Sequence, residues 1–424
     1  MPRTLAEKIL LAHTDADDIA PGDIVMTRCD VVMANDISGT LAFHELAKMG
    51  AGRVFDPAKV VMVADHFMPA KDVRSAEMQK ELKDWAIEQG VAFYDQGRGG
   101  IEHAVLVEDG WIVPGSVVVG GDSHTCTHGA LGAFSTGLGS TDIAFALAFG
   151  EFWQSVPGTI EVTLEGEKRP FCTGKDVILA VLAQIGVDGG TGNVLEFVGP
   201  GAAALSIDER LAVSNLAVEA GSETGIFPAD DATAAYLEGR TTRAWTAERS
   251  DPDAQMARRL RIDLSSFDPL VALPHSPGNV VPLAEAKGRR IDQVYIGNCA
   301  NGTITDLRQA AEVLRGRQVH DRCRAVVVPA SQRIYRQAMA EGLLDVFVEA
   351  GVVVSTPTCG ACFGGGNGVL AAGENALTTT NRNFKGRMGS PEAGVHLGNA
   401  WVAAAAAVAG EIVHPAEVLE GVPA

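Results

Sequence analysis

The sequence predicts an α/β protein of three domains with largely parallel sheets and a composite site at the domain junction. Three observations favour this fold class: the chain is long and apolar, β-branched runs alternate with helical patterns, and polar motifs follow those runs. With 424 residues, 46% hydrophobic and 21% charged, the chain exceeds one ordinary domain.

Short runs rich in β-branched residues predict the strands. They are Lys59 to Ala64, Ser116 to Val119, Thr159 to Leu164, Gln293 to Ile296, Arg324 to Val328 and Gly351 to Val354. Helical spacing occurs between them, for example over 70–89 and 305–314. A charged, apolar-poor stretch over 241–268 and turn formers over 269–282 place a boundary near residue 280, and a weaker one lies near 155–158. The predicted domains are therefore 1–157, 158–280 and 281–424.

The charge of the chain argues against nucleic acid as a partner. A formal net charge of −19 repels a phosphate backbone, and no Lys/Arg-rich run offsets it locally. The same charge repels anionic substrates. A carboxylate ligand would therefore require locally placed arginines or a metal centre.

The sequence suggests a cytoplasmic protein that uses no membrane. Charges at Arg3, Glu7 and Lys8 interrupt the N-terminal segment, which lacks the apolar run of a secretory signal. No stretch reaches the roughly 18 apolar residues of a membrane span. Seven cysteines, an odd number, predict reduced thiols or a metal site rather than a disulfide framework.

Polar motifs follow four of the predicted strands. Asp65-His66, Asp122-Ser123-His124, Cys299 and Cys359 each follow a β-branched run within five residues. In an open parallel sheet the ligand crevice lies outside the carboxyl ends of the strands. We therefore expect these motifs to form one composite site.

Three cysteines are candidates for a metal centre. Cys359 and Cys362 form a C-x-x-C, which alone fits zinc, a redox dithiol or an iron–sulfur cluster. Cys299 adds a third thiolate without an obvious fourth, and three thiolates on a four-iron cluster leave one iron open as a Lewis acid. Spacing alone leaves a Cys3His zinc site or three ordinary buried cysteines open. The remaining cysteines, at 29, 126, 172 and 323, are interpreted as packing residues.

Carboxylate–imidazole pairs are candidates for proton transfer. Asp65 with His66 and Asp122 with His124 can set the tautomer of the imidazole and raise its pKa. His103 follows a glycine-rich loop, and for this residue alone a satisfied core histidine is the alternative.

The loop over 381–387 places two guanidinium groups beside amide donors. Arg382 and Arg387 have the planar fork that suits bidentate capture of a carboxylate. They meet the requirement set by the acidic charge of the chain. The alternative, a solvated basic loop, applies mainly to Lys385.

Together these segments resemble the aconitase superfamily, most closely the stand-alone large subunits of 3-isopropylmalate dehydratase and homoaconitase. The matching stretches are GGDSHT at 120–125, NLAVEAG at 215–221, LPHSPGNV at 273–280, IGNC at 296–299, TCGAC at 358–362 and TTNRNFKGR at 379–387. As an ordered set they span nearly the whole chain and strongly disfavour the zinc alternative.

The resemblance implies roles for individual residues. The ligands of a [4Fe-4S] cluster with one open iron would be Cys299, Cys359 and Cys362. Acid/base and water-handling groups would be Asp65, His66, His103, Asp122, His124 and Glu219. Cluster or substrate contacts would come from Ser123, Asn215, Asn381, Arg382 and Arg387. The resemblance also implies a separate small subunit that carries a swivelling domain with the catalytic serine, without which the large chain is inactive.

The implied activity is that of a hydro-lyase that removes and re-adds water on a small hydroxy-di- or tricarboxylic acid. The first-choice substrate is 3-isopropylmalate, an intermediate of leucine biosynthesis; homoaconitate, citraconate, maleate and dimethylmaleate are the alternatives. Specificity in such a site depends on a few methylenes, each worth about 1–3 kcal/mol. A non-catalytic zinc protein or an RNA-binding cluster switch is the alternative of another class, and the net charge of −19 argues against RNA.

Overall fold

The fold is taken from a computed structural model that describes residues 1–366 and 368–420. Residues 421–424, the end of the third predicted domain, lie outside the described residues. The strands, in chain order, are β1 (Ile24–Arg28), β2 (Val31–Asn35), β3 (Val60–Val63), β4 (Ala92–Tyr94), β5 (Val117–Gly120), β6 (Phe134–Gly137), β7 (Glu151–Ser155), β8 (Gly158–Glu165), β9 (Asn193–Val198), β10 (Gly225–Ile226), β11 (Arg258–Asp263), β12 (Leu270–Ala272), β13 (Val280–Pro282), β14 (Gln293–Gly297), β15 (Arg324–Val328), β16 (Val353–Val354), β17 (Asn375–Thr378) and β18 (Gly394–Leu397).

Helices connect these strands. The α-helices are α1 (Leu5–Ala12), α2 (Ser38–Lys48), α3 (Val73–Gln89), α4 (Glu102–Glu108), α5 (Ser140–Phe149), α6 (Gly174–Ile185), α7 (Pro200–Ala204), α8 (Ile207–Asn215), α9 (Asp231–Leu237), α10 (Leu283–Ala286), α11 (Asn298–Asn301), α12 (Ile304–Leu314), α13 (Gln332–Ala340), α14 (Leu343–Glu349), α15 (Ala400–Ala409) and α16 (Pro415–Glu420). The 3-10 helices are Pro57–Lys59, Ser123–Leu131, Ala217–Ala220 and Gly360–Phe363. No helix in the described ranges is long and apolar enough to cross a membrane.

The first large sheet has the order β4-β3-β2-β5-β6, and all its pairings are parallel. Every residue of β2, β3 and β5 is buried. Strands covered on both faces need apolar side chains at every position, which explains the unbroken β-branched runs in the sequence. The antiparallel ribbon β1-β7 lies beside this unit.

Two further sheets complete the fold. The sheet β10-β9-β8-β11 is parallel throughout, and the sheet β13-β12-β18-β17-β14-β15-β16 is parallel except for the pairings of β12. The predicted α/β class with largely parallel sheets is confirmed. Strand β12 lies in the turn-rich stretch before residue 280 yet pairs within the third sheet. The division into three domains stays a prediction.

Helix α12 illustrates how the local sequence starts an element. Thr303 caps its N-terminus, accepting from the Asp306 N–H, while the Asp306 side chain accepts from the Thr303 N–H. Such a capping box satisfies two donors that the first turn leaves free. The alanine-rich helix α15 packs on α12 and is almost entirely buried, because its small side chains permit close approach.

A short contact joins the first and third sheets. The main-chain N–H of Ile101 donates to the Ala330 carbonyl at 2.8 Å, and the N–H of Gln332 donates to the Gly99 carbonyl at 2.9 Å. The Ser331 hydroxyl donates to Glu108 Oε1 at 2.7 Å. The loop that leads into His103 is therefore fixed against the third sheet.

Candidate active site

The candidate site lies where the carboxyl ends of strands from two sheets face each other. Asp65-His66 follows β3 and Asp122 follows β5, whereas Cys299 follows β14 and Asn381 follows β17. The chain order of strands and motifs thus delivers acid/base groups from one sheet and sulfur ligands from another, as expected for a crevice at strand ends.

Asp65 connects the first histidine to the cysteine loop. Its Oδ1 lies 2.6 Å from His66 Nδ1, and its Oδ2 accepts from the Glu102 N–H at 2.8 Å. Its main-chain carbonyl accepts from the N–H of Cys359 at 3.0 Å and from the Thr358 hydroxyl at 2.8 Å. Burial lowers the pKa of His66, but the Cys359 thiol and the Asp65 carboxylate outweigh burial and raise it well above its usual value.

Asp122 holds two further histidines. Its Oδ1 lies 2.9 Å from His103 Nε2 and accepts from the His124 N–H at 2.8 Å. Burial raises the pKa of this carboxyl, but hydrogen bonds from His103 and His124 lower it well below its usual range. Its Oδ2 is 3.8 Å from His66 Nε2, which places all three imidazoles in one cluster.

Glu219 joins His124 to the arginine loop. Its Oε1 lies 2.9 Å from His124 Nε2 and accepts from Arg382 Nε at 2.6 Å. Burial raises the pKa of Glu219, but these two partners lower it below its ordinary value. Ser123 is less tightly placed, with its hydroxyl 3.5 Å from His124 Nδ1.

Two asparagines surround the cysteine sulfurs. Asn215 Nδ2 lies 3.2 Å from Cys299 Sγ, and Asn381 Nδ2 lies 3.4 Å from the same sulfur. Asn381 Oδ1 is 3.5 Å from Cys362 Sγ, so one amide contacts two of the three sulfurs. An N–H directed at sulfur stabilises a thiolate and any metal bound to it.

The three cysteine sulfurs are spread more widely than the ligand atoms of the candidate single-ion sites. In the described part of the chain, the residue sets whose ligand atoms all lie within 4.8 Å of one another are Asp65–His66–Cys359 and Glu102–His103–Asp122; the three cysteines do not form such a set. One zinc ion with Zn–S bonds of about 2.3 Å requires thiolates within about 4 Å of one another. At least one pair of the three sulfurs is therefore farther apart than a single zinc ion requires.

Two large polar side chains lie against the sulfurs. Tyr295 is fully buried, and burial with the three neighbouring thiols raises the pKa of its phenol well above 10. Burial lowers the pKa of Arg387, but Cys362 and Cys359 outweigh burial and raise it. The buried Nε of Arg387 has no hydrogen-bond partner among the described residues, which leaves a donor for a bound group.

The backbone before Cys299 takes an unusual turn. Gly297 has φ +139° and Asn298 has φ +84°, and a Cβ on Gly297 would meet the Val328 carbonyl oxygen at 2.1 Å. Asn is among the few residues besides Gly that tolerate a left-handed conformation. This turn presents Cys299 to the crevice.

The structure brings all the predicted site residues into contact with other members of the set. Arg382 and Arg387, with Lys385, also line an open cavity of about 410 Å³. All seven cysteines are free, and of the four interpreted as packing residues only Cys126 lies near the site, its Sγ 3.4 Å from the Asn215 carbonyl oxygen. The chemical roles of the site residues stay proposals.

Sequence reasoning missed several residues of the site. Asp36 accepts from the N–H groups of His66 and Phe67 at 3.0 and 3.1 Å, and Asn35 Nδ2 donates to Glu102 Oε1 at 3.0 Å. Burial, with Asp65 and Asp122 nearby, raises the pKa of Glu102 well above its usual value. Asn35 is the last residue of β2 and Asp36 follows it, so the strand-end rule that selected Asp65 would have selected Asp36 if β2 had been predicted.

Fold and site together define a multi-sheet α/β protein with a three-cysteine centre beside paired imidazoles and carboxylates. The model of the aconitase family (aconitate hydratase) matches residues 7–410, and this chain belongs to the aconitase family. A solved structure of aconitase X from Thermococcus kodakaraensis covers 89% of this chain and 88% of its own, with a TM-score of 0.51. At 14% identity that likeness establishes the fold alone.

Curated relatives are much more similar in sequence. The 3-isopropylmalate dehydratase large subunit 2 of Rubrobacter xylanophilus is 71% identical over 99% of both chains. The 3-isopropylmalate dehydratase large subunits of Desulfitobacterium hafniense and Moorella thermoacetica are each 50% identical over 99% of this chain and 100% of their own.

Proposed function

We propose that this chain is the [4Fe-4S]-binding large subunit of a hydro-lyase that acts on 3-isopropylmalate. The observation that carries the proposal is the meeting of three cysteines, paired imidazoles and two arginines at one crevice. A relative named 3-isopropylmalate dehydratase large subunit 2, 71% identical over 99% of this chain, supports the choice of substrate.

Cys299, Cys359 and Cys362 would hold the cluster. They fit it because they come from two loops, because Asn215 and Asn381 direct amide groups at the sulfurs, and because no fourth protein thiolate contacts them in the described residues. When bound, the cluster supplies a Lewis-acidic iron that polarises the hydroxyl and one carboxylate of the substrate.

Arg382 and Arg387 would bind the substrate carboxylates. Glu219 already fixes Arg382 through Nε, which leaves the terminal nitrogens of the guanidinium for a ligand. Removal of a proton next to a carboxylate places negative charge on its oxygens. Preorganised cations that face this charge stabilise the transition state.

His66 is our first choice as the proton donor for the departing hydroxyl. Asp65 engages its Nδ1, so the transferable proton is the one on Nε2. His124 is the second candidate, but Glu219 already engages its Nε2. In the dehydration the C–O bond breaks, the oxygen leaves as water with the proton from the imidazole, and the C–H proton passes to a base.

We assign that base to a partner chain. The relatives are named large subunits, which implies a small subunit beside them. By family resemblance the small subunit would supply a serine and a further arginine. The large chain alone should therefore be inactive.

The test is an anaerobic co-purification with a candidate small subunit. We expect a brown protein with iron and sulfide near four per large chain, and dehydration of 3-isopropylmalate followed by the ultraviolet absorbance of the unsaturated product. The kcat/KM for 3-isopropylmalate should exceed that for homoaconitate, citraconate, maleate and dimethylmaleate. A colourless, zinc-replete protein would reject the cluster, and a higher kcat/KM for another acid would reject the substrate.

A further inference from the structure

Lys175 is a fully buried lysine that the mechanism above does not use. It is the second residue of α6, in the unit of the second sheet, and its side chain reaches the third sheet. Its Nζ donates to the main-chain carbonyls of Thr379 and Thr380, at 3.0 and 2.5 Å. These two residues directly precede Asn381 and Arg382, so the ammonium holds the start of the arginine loop.

The ammonium lacks a carboxylate partner. Among the described residues Lys175 forms no ion pair, and its ammonium donates only to the two carbonyls, which leaves one N–H unused. Burying an ammonium without a counter-charge is strongly unfavourable. Burial accordingly lowers the pKa of Lys175 to about 8.

The groups that face Lys175 identify its counter-charge. Asp306, Cys362, Cys299 and Asp176 are the acidic side chains that act on it electrostatically. Burial raises the pKa of both carboxyls, that of Asp306 to about 6, so Asp306 is still largely ionised at neutral pH. A thiol that binds a metal is deprotonated, so Cys299 and Cys362 as cluster ligands would add further negative charge facing the ammonium.

We propose that Lys175 is the internal counter-cation of the cluster site, which offsets the charge of Cys299 and Cys362 and positions the segment that carries Asn381. This inference rests on the proposed function, because it requires the bound cluster. It makes Lys175 a positioning and electrostatic residue that does not touch the substrate.

The test is the reduction potential of the cluster in the two-subunit enzyme, measured by an anaerobic redox titration with electron paramagnetic resonance. Lys175→Met and Lys175→Gln remove the charge, and Lys175→Arg keeps it. Loss of a nearby positive charge favours the oxidised cluster, so both neutral variants should have a lower potential, and the arginine variant should stay near the wild type. Lys287→Met, which removes one charge from an exposed ion pair with Glu417, is the matched control and should leave the potential unchanged.

Each outcome either supports or overturns the proposed role of Lys175. Equal potentials in the wild type and both neutral variants would overturn the inference, as would neutral variants that fail to fold even without iron, because the charge would then serve the fold alone. A wild-type enzyme that binds no cluster would instead reject the proposed function, which separates the two failures.

Discussion

The two sides of the crevice differ in how completely their polar groups are paired. In the acid/base half, formed by Asp65, His66, His103, Asp122 and His124, each imidazole has a carboxylate within 2.9 Å. In the cysteine half, formed by Cys299, Cys359 and Cys362, burial raises the pKa of Cys359 to about 12 and that of Cys299 well above its usual value.

This difference separates what the chain assembles alone from what a metal must complete. Each imidazole of the acid/base half is hydrogen-bonded to a protein carboxylate, although the buried Nδ1 of His103 has no partner among the described residues. In the cysteine half, burial raises the pKa of Cys299 and Cys359, and a bound metal would deprotonate such thiols. Substitutions in the two halves should therefore fail in different ways.

The largest expected effect is that of Cys299→Ser. Loss of one of three ligands should remove the iron and the brown colour, and activity should fall by about 10³-fold or more because the Lewis-acid contribution of several kcal/mol disappears. Iron analysis, visible absorbance and the dehydration rate measure the result. The matched control is Cys323→Ser, a buried free cysteine whose Sγ donates to the Arg324 carbonyl. Iron retained in Cys299→Ser would contradict the ligand assignment.

Asp122→Asn should have the opposite effect on iron content from Cys299→Ser. The cluster should be retained, while kcat falls by about 10²- to 10⁴-fold, the range for a disturbed acid/base group. The amide oxygen can still accept the hydrogen bonds that Oδ1 takes from His103 and His124, but the variant loses the negative charge that the carboxylate places beside these imidazoles. Loss of iron in this variant would show that the two halves are not separable.

Arg382→Lys should have a smaller effect, expressed mainly in substrate binding. Lysine keeps the charge but lacks the fork that can hold Glu219 and a substrate carboxylate together. One charged hydrogen bond is worth about 1.5–3 kcal/mol, so kcat/KM should fall by about 10- to 150-fold. Steady-state kinetics with unchanged iron content test this expectation, and an unaltered KM would argue against carboxylate capture by Arg382.

Glu108→Gln should change the stability of the fold and leave activity unaltered. Glu108 lies at the contact between the first and third sheets, which supply the two halves of the site. Burial raises the pKa of Glu108 from 4.5 to about 7, with Ser331 and Arg333 opposing this shift. Because the folded-state pKa lies above the unfolded one, the carboxyl contributes stability that is present below pH 4.5 and is lost as the pH rises to 7.

The glutamine variant should therefore gain stability relative to the wild type between those pH values, by at most about 3 kcal/mol. Chemical denaturation at pH 5 and pH 8 measures the difference. A variant whose relative stability is the same at both pH values would refute the assignment.

The sequence predicted the crevice residues that stand in recognisable motifs. It did not predict those that reach the crevice only through contacts with residues far away in the chain. The strand-end rule and the C-x-x-C identified Asp65, Cys299 and Cys359, because those signals lie within a few residues of one another. Lys175 could not be found in this way, since its partners Thr379 and Thr380 lie more than two hundred residues away and a lysine near a helix start is usually solvated. Strand β12 was missed because its three residues stand among turn formers.

The bonds from the Asp65 carbonyl to Cys359 and Thr358 have a consequence for how this protein can change over time. The spacing between an acid/base residue and a cysteine of the opposite half is held largely by main-chain atoms. Mutations of the side chains that line the pocket leave those atoms in place. Evolution can therefore change which carboxylic acid the site binds without changing the spacing between Asp65 and Cys359.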